Sequence, residues 1–179
     1  MELADEQFEV RVAVRLKTLR AERGLTLDAL AELSGVSRAM ISRVERGEAS
    51  PTAALLARLC SALGVSLSVF FASGEAGVSP LSRRADQPVW RDPESGYLRR
   101  VVSPSGLGAR VDVVEVEFPP GAVVRFPGQT ASRNQTQHVW LFEGEMELTV
   151  GETVHRLTAG DCLFMNVGDV HGFANPTDK

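Results

Sequence analysis

The 179-residue chain is 44% hydrophobic and 23% charged, proportions ordinary for a globular protein, and is long enough for one large domain or two small ones. No apolar run approaches the roughly 20 residues that a bilayer span needs, and the acidic start MELADEQFEV lacks the basic-then-apolar pattern of a secretory signal. A cytoplasmic protein without a membrane partner is expected. The formal net charge of -4 excludes a generally basic nucleic-acid binder, but eight Arg or Lys stand against four Asp or Glu between Arg11 and Gly47. A small basic face on an acidic chain suits focused, salt-sensitive contact with DNA.

Helical spacing opens the chain. Val12, Leu16 and Leu19 fall on one face of a first helix that stops at Arg23-Gly24. Thr26 offers an N-cap to a second helix with Leu30 and Leu33, closed by Gly35. Ser37 caps a third, carrying Ile41 and Val44 and ending at Gly47. Pro51-Thr52 opens a fourth with Leu55, Leu56 and Leu59, and Ser66 begins a last turn ending at Phe70-Phe71. The stretch SGEAGVSPLSRRADQP then has no periodicity and reads as a linker.

Alternation replaces helical spacing beyond it. Arg110–Phe118, Gln137–Phe142, Glu145–Val150 and Thr153–Leu157 read as strands, punctuated by Gly and Pro. The expected class is therefore multidomain α plus all-β: a helical domain over 1–72, a linker over 73–88, and an antiparallel β domain over 89–179. Cys60 and Cys162 are isolated and lack metal-ligand spacing, so reduced thiols are expected.

The segment LTLDALAELSGVSRAMISRVERGEASPT resembles the XRE, or lambda-repressor-like, helix-turn-helix family. Ala31 is small where two helices cross, Gly35 sits in the turn, and Val36, Ile41 and Val44 take core positions. The resemblance implies a five-helix DNA-binding domain whose third helix enters the major groove by its N-terminal turn. Arg38 and Arg43 are then the candidates for bidentate guanine contacts, and Ala39 and Met40 for a thymine methyl. Thr26, Ser37, Ser42 and Arg46 are assigned to phosphates, which set register. Arg20 and Glu45 occupy positions that pair structurally in that family.

The second half resembles the cupin family, a jelly-roll-like barrel. Gly160, Asn166, Gly168, His171 and Asn175 follow its second motif with Asn166 in place of Pro, and EGEMELTVG fits the centre of the first. Metal-binding cupins carry two further histidines and a glutamate. Here the glutamate position is Gln137 and the segment Ala131–Arg133 holds no histidine, so only His171 remains. His138, on the opposite strand parity from Gln137, is the one other histidine available nearby. Neither a metal nor another cofactor is expected.

The barrel is instead expected to hold a small-molecule effector among Arg125, Asn134, Gln137, Trp140 and His171, with Met165 and Phe173 as walls. Arg125 suggests an anionic one. The resembling family usually adds one more apolar strand beyond the position of Lys179, which implies either a truncated chain or an open sheet edge that would pair in a homodimer. These residues point to a non-enzymatic regulator, expected to be a repressor, that binds double-stranded operator DNA. Two alternatives stay open: a metal-dependent cupin enzyme with a DNA-binding appendage, and an antitoxin-like regulator whose barrel only dimerises.

Overall fold

A computed structural model describes residues 2–71, 79–104, 111–128 and 135–178. Five helices come first: α1 (Glu2–Glu22), α2 (Leu27–Ser34), α3 (Arg38–Glu45), α4 (Ala53–Ala62) and α5 (Leu67–Phe71). The first begins well before the Val12 stripe that marks it in the sequence. Each short helix is fixed by its cap. Thr26 accepts from the Ala29 N–H at 3.1 Å, Ser37 from Met40 at 3.2 Å and Thr52 from Leu55 at 3.3 Å. Gly35 closes α2 at φ 64°, a left-handed conformation that turns the chain sharply into α3. Leu16, Leu30, Ile41, Leu56, Leu59 and Leu63 are fully buried between these helices.

Among the described residues nine strands follow: β1 (Val89–Arg91), β2 (Leu98–Val101), β3 (Val114–Glu117), β4 (Val123–Phe126), β5 (Thr136–Trp140), β6 (Glu145–Val150), β7 (Thr153–Thr158), β8 (Cys162–Asn166) and β9 (His171–Ala174). All pairings are antiparallel, in three sheets ordered β1-β2-β3, β4-β9-β6-β7 and β5-β8. Among the described residues these sheets do not join into one closed barrel, which corrects that part of the expectation. The strand expected over 137–142 ends at Trp140, although Leu141 still bonds through its backbone to Gly160 and Asp161. In the segment expected as linker, Arg84–Asp86 forms a single 3-10 turn, and Arg84 bonds Glu115 at 3.0 Å.

The two halves share a core. Leu16, Leu56, Leu59, Phe70 and Phe71 pack in one cluster with Trp90, Tyr97, Val101, Val124 and Phe126. Rings run through it in sequence, from Phe71 to Trp90 (5.5 Å between centroids), Tyr97 (5.7 Å), Phe118 (5.0 Å) and Phe173 (6.0 Å). A smaller cluster of Leu148, Leu157 and Met165 lies inside the β half, and Phe173 packs against both. Burial of this aromatic surface, and not a flexible connection, holds the halves together.

Candidate nucleic-acid interface and sheet interior

Helix α3 presents two faces because eight residues give just over two turns. Ile41 and Val44 are buried, while Arg38, Ala39 and Arg43 are exposed and Met40 is half-buried against the core. Arg20 holds this helix to α1: its Nε and Nη2 donate to both Glu45 carboxylate oxygens at 2.6 and 2.8 Å, which raises the guanidinium pKa further. That pair is structural, and it leaves the outer face of α3 to other partners.

The outer arginines already have carboxylates beside them. Arg38 lies 3.2 Å from Asp28 with its side chain 62% exposed. Arg46 donates to both oxygens of Glu48 at 2.7 and 2.6 Å and also to Ser42, so Glu48 titrates below the ordinary carboxylate range. Such exposed pairs are weak, about 0–1 kcal/mol, and are easily exchanged for a stronger anion. The cap hydroxyls of Thr26 and Ser37 accept from backbone N–H groups and keep their own protons, which a phosphate oxygen can accept. Asp28 and Glu48 carry no signal in the sequence that separates them from other solvated acids.

Behind α3, α4 braces the turn. Arg58 donates from Nε to the Ser34 carbonyl at 3.1 Å and from Nη2 to that of Gly35. The other end of α4 is held from the β half, where Asp92 Oδ1 accepts from the Ala53 N–H at 2.7 Å. Asp92 is only 2% exposed. Its second oxygen accepts from the Ser95 backbone N–H at 2.8 Å and from the Ser95 hydroxyl. Nearby, buried Arg99 donates to Ser68 at 3.0 Å and lies 5.3 Å from the Phe71 ring centroid. Burial lowers the pKa of that guanidinium and raises those of Cys60 and Tyr97. Arg99 Nη1 and Arg15 Nε are buried without a hydrogen-bond partner among the described residues.

In the β half the expected effector residues separate. His171 is buried at 5% exposure, stacked on Phe126 (5.0 Å) and edge-on to Phe173 (5.7 Å). Desolvation lowers its pKa, outweighing the Asp169 carbonyl 2.7 Å from Nδ1, so the ring is neutral at ordinary pH. Gln137 is half-buried, with Nε2 3.3 Å from Met165 Sδ. Met165 is buried and Phe173 half-buried. Trp140 and Arg125 correct the expectation, for both face outward. Trp140 is three residues from Gln137, an odd offset that strand alternation sends to the opposite face, where it is 59% exposed. Arg125 lies between buried Val124 and Phe126 and is exposed for the same reason. Asn134 lies outside the described residues.

The donor set does not fit a cupin metal. His138 is on the outer face beside Phe164 and Cys162, with Nδ1 3.9 Å from Sγ, while His171 lies inside against apolar rings. Among the described residues no group of three His, Cys, Asp or Glu side chains converges.

Residues 16–70 match the helix-turn-helix family HTH_3, and residues 114–179 match the cupin family Cupin_2. Two regulators of Escherichia coli (strain K12) align across both regions. The HTH-type transcriptional regulator PuuR is 27% identical over 161 residues, 90% of this chain and 85% of its own. SutR is 26% identical over 164 residues, 92% of this chain and 86% of its own.

The chain belongs to the HTH-type transcriptional regulators that carry a cupin domain.

A solved structure of an HTH_3 family transcriptional regulator from Vibrio cholerae superposes with a TM-score of 0.78 at 29% identity, covering 97% of this chain and 93% of that one. The chain thus carries the helix-turn-helix domain of a DNA-binding regulator, with α3 inside the matched region. No helix among its described residues is long and apolar enough to cross a membrane.

Proposed function

We propose that this regulator binds operator DNA as a homodimer and represses transcription, with a small-molecule effector in the β half controlling its affinity. One observation carries the DNA reading: α3 buries Ile41 and Val44 and leaves Arg38, Ala39 and Arg43 outward at its leading end and along its outer face. Arg38 and Arg43 read guanines. Thr26, Ser37, Ser42 and Arg46 hold phosphates, Arg46 exchanging Glu48 for the backbone. Two copies place two such helices on half-sites about one helical turn apart.

The effector site is proposed around His171, Gln137, Met165 and Phe173. A neutral imidazole and an amide among apolar walls suit an uncharged ligand with a few polar groups. The anionic ligand expected earlier rested on Arg125, which faces solvent. Nothing in this set of side chains supplies a paired acid and base or a metal ligand cluster, which favours a sensor over an enzyme. The test is selection of duplexes from a randomised pool by the purified chain. A defined motif, lost in the Arg38→Ala/Arg43→Ala double variant, is the expected result. Retention of that motif by the double variant removes α3 as the reader.

A further inference from the structure

We propose that α4 is the lever between the two halves, with Asp92, holding its first residue, and Arg58, at its middle, as the positioning residues that tie it to each half. The inference rests on the reading of α3 as the DNA reader and of the His171 region as the sensing site. One end of α4 begins at Ala53, 1% exposed, whose N–H has Asp92 as its acceptor. A carboxylate there also meets the positive end of the helix dipole. Asp92 belongs to the hairpin between β1 and β2, whose turn it ties through Ser95 and through the backbone bond of Gly96 N–H to its own carbonyl at 2.9 Å. The hairpin tip and the helix therefore move together.

Midway along this lever, Arg58 grips the Ser34 and Gly35 carbonyls. Those two residues are the turn, and Ser37 caps α3 two residues later. A tilt of α4 must consequently pull on the start of the reading helix. The input side is equally direct. β4 packs against α4, and its Phe126 stacks on His171 at 5.0 Å. His171, Phe126, α4, Arg58 and the turn form a contiguous series with no flexible segment between them. Packed interiors pass displacement on because they hold few voids to absorb it.

The experiment uses the full chain and needs no effector. His171→Gln serves as the perturbation, placed in the wild type and in Asp92→Ala, Asp92→Asn and Arg58→Met backgrounds. Amide hydrogen exchange in α3 and affinity for the tightest duplex recovered by the wild type are the readouts. In the wild type His171→Gln is expected to shift both by about fivefold or more, the lower range of coupling between linked sites. Asp92→Asn keeps an acceptor for Ala53 and retains that response; Asp92→Ala and Arg58→Met abolish it. Arg58→Met carries the test alone if Asp92→Ala does not fold. A response of equal size in all backgrounds, or none in the wild type, overturns the lever. Failure to recover any duplex instead counts against the DNA reading, and the exchange data still decide the coupling.

Discussion

The outer face of α3 and the interior around His171 treat charge in opposite ways. On the outer side of α3 the cations are exposed, and two of them rest against weakly held carboxylates, Asp28 for Arg38 and Glu48 for Arg46. Around His171 charge is driven out, and the one titratable ring is held neutral by burial between Phe126 and Phe173. The first surface is built to exchange partners and the second to reject ions. Binding at the first should depend steeply on salt, and binding at the second hardly at all.

The largest effect that sharpens this contrast is on DNA. Arg38→Ala and Arg43→Ala together should remove about 2–6 kcal/mol of discrimination, taking each guanine contact as about 1–3 kcal/mol. Affinities for the selected duplex and a scrambled one, measured by fluorescence anisotropy, should converge. Next comes the shared core. Trp90→Ala should cost about 3–5 kcal/mol, as for a large buried aromatic. Calorimetry should show both halves losing stability together; a drop confined to one half would break the picture of a common core.

Smaller effects test the charges themselves. Glu48→Gln should free Arg46 and tighten DNA binding slightly, because an exposed pair holds its partner only weakly. Titration of affinity at low salt would detect it, and weaker binding would contradict the exchange of partners. The gentlest is pH. The folded His171 ring titrates below its unfolded value of about 6.5, so the unfolded chain takes up the proton first. Stability is therefore full above that value and declines as pH falls through the interval below it. Thermal midpoints between neutral and mildly acidic pH should show a slope that His171→Gln reduces.

Helices were the legible part of this sequence. Caps at Thr26, Ser37 and Thr52 act within three residues, and the Leu30, Ile41 and Val44 spacing alone places the outward side chains of α2 and α3. In the β half, alternation locates strands but the pairing decides which side is inside. Gln137 and Trp140 lie on one short strand, and strict counting by two separates them, a rule that assigning both inward overlooked. Asp92 was illegible for a different reason. RDPESG reads as a turn, and nothing in it tells that the turn's carboxylate reaches a helix 39 residues earlier. Contacts between distant segments have no local pattern to betray them.

The two tryptophans sit at opposite extremes of environment. Trp90 is 4% exposed at the junction of the halves, and Trp140 is 59% exposed beside Phe142 on the outer β surface. Their emission should therefore be resolved in wavelength, blue-shifted from the first and red-shifted from the second. Trp140→Phe would leave a single tryptophan, at the junction itself. The molecule thus carries its own optical gauge, able to register motion between its halves without any attached label.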